Sequence, residues 1–115
     1  MLDDVSIDAL KAALQGLSAR QDAISNNIAN VNTPYYTARR VEFEGALRRA
    51  LGAGSDPAGA TPTTSLSTDA AGLNGNNVDL GAETVLGAQT EMAYDLAVRA
   101  TGDRFALLRT AIQGA

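Results

Sequence analysis

The 115-residue sequence contains no cysteine, no histidine and no tryptophan, and only 4% of it is aromatic. Without cysteine there is no disulfide framework and no thiol nucleophile. Without histidine the usual zinc ligand sets and a Ser-His-Asp relay are also excluded. Lysine is reduced to Lys11, so acid–base chemistry would have to rest on that residue or on carboxylates. The aromatics are Tyr35, Tyr36, Phe43, Tyr94 and Phe105. Aromatic side chains bury the most area each, and so few of them predict an aliphatic, alanine-rich core.

Basic residues are outnumbered by acidic ones, giving a net charge of −4, whereas phosphate binding needs a concentrated basic surface. The pairs Arg39-Arg40 and Arg48-Arg49 lie close to Glu42 and Glu44 and read as a solvated face. No apolar run approaches the roughly 18 residues of a membrane helix. The start, Met1-Leu2-Asp3-Asp4, has neither the basic nor the apolar region of a cleavable secretory signal. Targeting signals alone therefore predict a cytosolic chain, or one exported by a route that reads no such signal. Asp3/Asp4, Glu42/Glu44 and Asp95/Asp103 are carboxylate pairs explained by solvated faces, and no glycine-rich loop is followed by Lys-Ser/Thr. The expectation is no enzyme, no cofactor, no metal and no small-molecule substrate.

The strongest pattern runs over residues 6 to 31. Ile7, Leu10, Leu14, Leu17, Ile24, Ile28 and Val31, with Gln21 as the polar member, alternate spacings of three and four. That is the stripe of a helix whose seam packs on another helix. Asp4 or Ser6 is a candidate N-cap, and Asn32-Thr33-Pro34 a terminator. A second helical pattern covers 78 to 113, with Asp79 as N-cap. Its apolar stripe is Leu80, Tyr94, Val98, Phe105, Leu108 and Ile112, with Val85, Met92 and Leu96 beside it. Gly81, Gly87 and Gly102 interrupt this helix, each at about 1 kcal/mol relative to alanine.

Between the helices, residues 35 to 51 alternate at first, with Val41 and Phe43 inward, and then turn helical through Leu47 and Leu51 with a Glu44-to-Arg48 pair. Residues 52 to 77 are rich in Gly, Pro, Ser and Thr and read as a flexible loop. The predicted class is all-α: an elongated, coiled-coil-like pair of long terminal helices with a short extended or irregular middle segment and a flexible loop. The division is 1–32, 33–77 and 78–115.

Helix length is itself a clue. At 1.5 Å per residue the two patterns span ~39 and ~51 Å, whereas a globule of this size is ~34 Å across. A rod-shaped hairpin follows, with apolar faces left over. An isolated chain is then expected to be incompletely ordered at both ends and to complete its burial against other chains. Ile24→Asp should abolish assembly, and shortening 55–72 should be tolerated.

The first helix ends in Ser25-Asn26-Asn27-Ile28-Ala29-Asn30-Val31-Asn32-Thr33-Pro34-Tyr35-Tyr36. Asparagine terminates helices well and supports them poorly. Asn26, Asn27, Asn30 and Asn32 within seven positions exceed what capping needs, and amides on the face of Asn26 and Asn30, beside the seam, can fix register between packed helices. This stretch, with Thr33, Pro34 and Tyr36, resembles the signature of the bacterial flagellar rod and hook proteins. The resemblance extends to Ala38-Arg39, Val41 and Phe43, and to a second block running from Asn77-Val78-Asp79-Leu80 to Leu107-Leu108-Arg109-Thr110-Ala111-Ile112. The short middle and this ending look most like the proximal rod members. Tyr35 departs from the pattern, which has glycine there; a positive backbone torsion would strain a tyrosine.

The resemblance implies a structural subunit of the flagellar basal-body rod, exported unfolded through the flagellar type III apparatus without a cleaved signal. It also implies stacking into the axial driveshaft through paired terminal helices. The implied partners are other rod subunits, the export-gate adaptor at the rod base and the surrounding basal-body ring. A small secreted helical-hairpin adaptor is the competing reading; it shares the helices but has no use for the asparagine-rich terminator.

Overall fold

The computed structural model describes residues 2–114, with side chains from residue 5 onward. Its frame is an antiparallel pair of long helices, α1 (Leu2–Ala29) and α3 (Leu80–Gln113). Between them run strand β1 (Arg39–Glu42), helix α2 (Glu44–Gly52), a 3-10 turn (Pro57–Gly59) and strand β2 (Thr63–Leu66). The principal extents are 66 × 26 × 14 Å and the radius of gyration is 17.7 Å, against about 13 Å for a compact domain of this length. The helices set the long dimension, as the rise per residue requires.

An all-α reading is corrected by the small sheet. β1 and β2 pair antiparallel, Arg39 opposite Leu66 and Glu42 opposite Thr63. β2 lies in the stretch whose composition reads as loop. Its Thr-Thr-Ser-Leu sequence favours extended backbone through β-branching, and β1 supplies the hydrogen-bonding partner that composition cannot reveal. The 3-10 turn is capped by Asp56, whose carboxylate accepts from the Ala58 N–H at 2.9 Å. It packs on α1 and buries Pro57.

Helix α1 begins before Ser6, which is therefore not its N-cap; the side chain of Asp4 lies outside the described residues. The helix closes at Ala29 and the chain continues in successive turns, with the Val31 N–H donating to Ile28 O and the Thr33 N–H to Asn30 O. Asp79 caps α3 by accepting from the Ala82 N–H at 3.1 Å. Of the predicted apolar stripe, Ile7, Leu17 and Ile24 are buried, Leu10 and Leu14 are half-buried and Ile28 is exposed on α1, while Val31, half-buried, lies in the turn beyond the helix end.

The core is clamped at Gly16. A Cβ there would sit 2.2 Å from the Phe43 ring, so the missing side chain is the socket that the ring fills. Phe43, Leu17 and Ala97 form one buried cluster that ties the middle segment to both long helices. Above the ring lies the Arg20 guanidinium, 5.0 Å from its centroid, at cation–π distance. Arg20 donates to the Val41 carbonyl at 2.8 Å and to both carboxylate oxygens of Glu44. Glu44 is thus bound by Arg20 rather than by Arg48. The hydrogen bonds from Arg20 hold the Glu44 carboxyl at about 2, well below the usual carboxylate range, against a smaller opposing effect of burial.

Candidate assembly interface

Of the asparagines at the end of α1, Asn27 alone is fully buried. One turn of a helix aims it between β1 and α3. Its Nδ2 donates to the Arg39 carbonyl at 3.0 Å and to Glu83 Oε2 at 3.2 Å. Its Oδ1 accepts from the Arg39 N–H at 2.9 Å and from the Tyr36 hydroxyl at 3.3 Å. Every donor and acceptor position of the amide is used. Glu83, equally buried, receives Arg40 Nη1 on its other oxygen. A buried carboxylate is tolerable when paired and hydrogen-bonded in this way.

The expected register amides, Asn26 and Asn30, are not the ones that reach the partner helix. Asn26 is exposed, while Asn30 bonds locally, donating to Asn26 O and accepting from the Thr33 hydroxyl. Asn27 is one residue on from Asn26, about 100° further round the helix, and so points to a different side of α1. Asn27 faces the groove because β1 occupies the side of α1 that a two-helix picture leaves empty. Asn32, Thr33 and Pro34 are exposed, and Tyr36 is half-buried through its contact with Asn27.

Behind this junction the turn 30–36 docks on the segment 72–77. Asn76 donates to the carbonyls of Asn30 and Thr33, both at 2.8 Å, and Asn77 Oδ1 accepts from the Ala38 N–H at 2.6 Å. Tyr35 stands at φ +62°, the left-handed region that costs a tyrosine. Its N–H is held by Asn74 O at 3.0 Å, and its ring lies over Gly75, where a Cβ would come within 2.5 Å of it.

The face α3 turns to α1 is small and polar. Glu83, Thr90 and Ala97 are its buried members, with Gly87 and Thr101 half-buried on the same line. Ile24 packs against Gly87, 3.5 Å from where a Cβ would stand. Small residues let the helix axes approach, so the larger side chains of α3 are displaced to the flanks. Val98, Phe105 and Ile112 are exposed and Leu108 is half-buried. On the far side, Val85, Met92 (72% exposed), Leu96 (69%) and Leu107 form a second outward stripe. A helix apolar on several sides is one that expects more than one neighbour. Among the described residues no group of three or more His, Cys, Asp or Glu side chains could hold a metal ion. No described helix is long and apolar enough to cross a membrane.

A family model described as "Flagella basal body rod protein" matches residues 7–37, which include the α1 stripe and the asparagine-rich end. Across nearly its whole length the chain is similar to curated relatives described as flagellar basal body rod protein FlgB. The one from Bacillus subtilis is 32% identical, over 95% of this chain and 94% of the relative. The one from Salmonella typhimurium is 26% identical over 99% of both, and the one from Escherichia coli 28% identical over 87% of this chain and 88% of the relative.

Proposed function

The chain belongs to the flagellar basal body rod proteins and is a structural subunit of the proximal rod; we propose that it enters the rod by covering the exposed faces of α3 with neighbouring subunits. The observation that carries this reading is the outward position of Val85, Met92, Leu96, Val98, Phe105 and Ile112 on a helix already paired on one side. Where one of these faces meets a different face of the next subunit the contact is heterologous, the kind that can build an open helical stack.

Its neighbours in this reading are other rod subunits of the same and related sequence, the export-gate adaptor at the rod base and the surrounding ring, all in the cell envelope. The chain reaches them unfolded through the flagellar type III apparatus. Its cysteine-free sequence supports that route, since no disulfide has to be made afterwards. The outer turns of α1 and α3, farthest from the Asn27 junction, order on assembly. Ile7, Leu10, Leu14, Leu17 and Ile24 serve the pairing within the subunit; Val98, Phe105, Leu108 and Ile112 serve contacts between subunits. The role is architectural, with no catalytic step.

Fractionation of basal bodies tests the reading. The tagged chain is expected at the membrane-proximal end of the rod, in stoichiometric amount, and recovery only in soluble, closed complexes would reject it in favour of an adaptor.

A further inference from the structure

We infer that the polar junction of Asn27, Glu83 and Arg40, backed by Asn76, fixes the register of α3 on α1 beyond what packing along the seam fixes. The α1 side of the seam is nearly self-similar under a slide of one heptad. On α1, Leu10 moves onto Leu17, and Leu17 onto Ile24. On α3, the buried members Glu83, Thr90 and Ala97 are themselves seven apart, and Gly87, Tyr94 and Thr101 repeat beside them. Under such a shift Ala97 takes the place of Thr90 at little cost, whereas Tyr94 in the place of Gly87 beside Ile24 and Arg104 in the place of Ala97 beside Leu17 oppose it by size and charge.

The junction, by contrast, exists in one register only. Sliding α3 so that Tyr94 replaces Gly87 beside Ile24 carries Glu83 past the end of α1 at Ala29. Thr90 then stands opposite Asn27 and cannot supply the carboxylate that now accepts from Nδ2 at 3.2 Å. Arg40 loses the partner it holds at 2.5 Å. Asn76 resists the same slide, because its bonds to Asn30 O and Thr33 O pin the segment that leads into α3. Buried amides and carboxylates without partners are strongly disfavoured, so the mismatch falls wholly on the shifted state. Fixing register also fixes where along the rod axis the outward stripe of Met92 and Leu96 is presented, although the inference itself does not rest on assembly.

Disulfide trapping in the full, cysteine-free chain reads register directly. Ile24→Cys with Gly87→Cys reports the native register, since the Ile24 side chain already approaches the Cβ position of residue 87 to 3.5 Å. Ile24→Cys with Tyr94→Cys reports the slide, because those sites are about 10 Å apart along the axis in the native register. The parent should trap only the first pair. In the triple variant Asn27→Leu, Glu83→Leu, Asn76→Ala the second pair should rise at least about tenfold while the helical circular-dichroism signal is kept. Returning Asn27 and Glu83 in the Asn76→Ala background should restore the single native product. Exclusive trapping of the native pair in the triple variant would overturn the inference. So would loss of helical signal with neither pair trapped, which would make the junction a support of the fold, and so would failure of the rescue.

Discussion

The ring of Phe43 stands where a side chain on Gly16 would be, 2.2 Å from that absent Cβ. Gly16→Ala must therefore unseat the ring or bend α1. Overpacking of this severity outweighs the ~1 kcal/mol that alanine gains as a helix former, leaving a net loss of about 2 kcal/mol. Urea denaturation followed by circular dichroism checks it; a variant more stable than the parent would show that the socket is not needed.

Tyr35 offers the opposite case. At φ +62° it carries backbone strain of about 1 kcal/mol that glycine would not, partly offset by glycine's larger unfolded-state entropy. Tyr35→Gly is expected to leave stability equal or raise it by up to about 1 kcal/mol. Gly75→Ala should destabilise, since its own φ is +79° and its Cβ would meet the Tyr35 ring. A melting series of both variants settles the ordering, and a Tyr35→Gly variant clearly below the parent would assign the ring a stabilising contact over Gly75.

The ion pair between Arg20 and Glu44 gives acid sensitivity a definite sign. The folded carboxyl titrates at about 2, below its ordinary 4.5, so its stabilisation is complete above pH 5 and is lost as pH falls from there towards 2. Glu44 is 43% exposed at its side chain, and solvent screening reduces the effect to about 1 kcal/mol. Glu44→Gln should flatten the stability profile over that window. An unchanged slope between pH 5 and 2 would move the origin of acid sensitivity elsewhere.

Gly102 sits in α3 with open space where a Cβ would be. In the isolated chain Gly102→Ala should stabilise α3 by about 1 kcal/mol. Motility of cells carrying the variant then asks a separate question. Lost swimming with a raised melting temperature would place a neighbouring subunit directly against residue 102.

Met92→Asp and Leu96→Asp address the outward stripe. Both side chains are largely exposed, so the isolated chain should melt within about 0.5 kcal/mol of the parent, while incorporation into rods fails. Ile24→Asp behaves differently: Ile24 is buried against Gly87, and a charge there should unfold the hairpin itself. Equal effects of all three substitutions on the melt would erase the distinction between pairing face and assembly face.

The long helices were legible from the spacing of Leu10, Leu14, Leu17 and Ile24, because a seam repeats often enough to be seen above local noise. The capping role of Asp79 was readable for the same local reason. What escaped were relationships between distant segments. Nothing near Thr63–Leu66 indicates that β1 will pair with it, and the expectation that 55–72 can be shortened freely meets a segment that donates the Ser67 N–H to Ala38 O and buries Pro57. The small-residue face of α3 was also hidden, since Thr90 is polar and Ala97 is one of many alanines, and they count only once α1 is opposite. Asn27 could be singled out as part of a motif, but its choice over Asn26 depends on where β1 lies.

Asn27 and Arg20 have one more effect, on β1. One side of that strand is paired with β2; on the other, a side chain takes the place of a neighbouring strand, Asn27 meeting both the N–H and the carbonyl of Arg39 and Arg20 covering the carbonyl of Val41. An unpaired strand flank is a template for sheet-to-sheet aggregation. In a protein concentrated for polymerisation, α1 closes that route on β1 with two side chains, so that growth by helix packing does not compete with growth by β-stacking there.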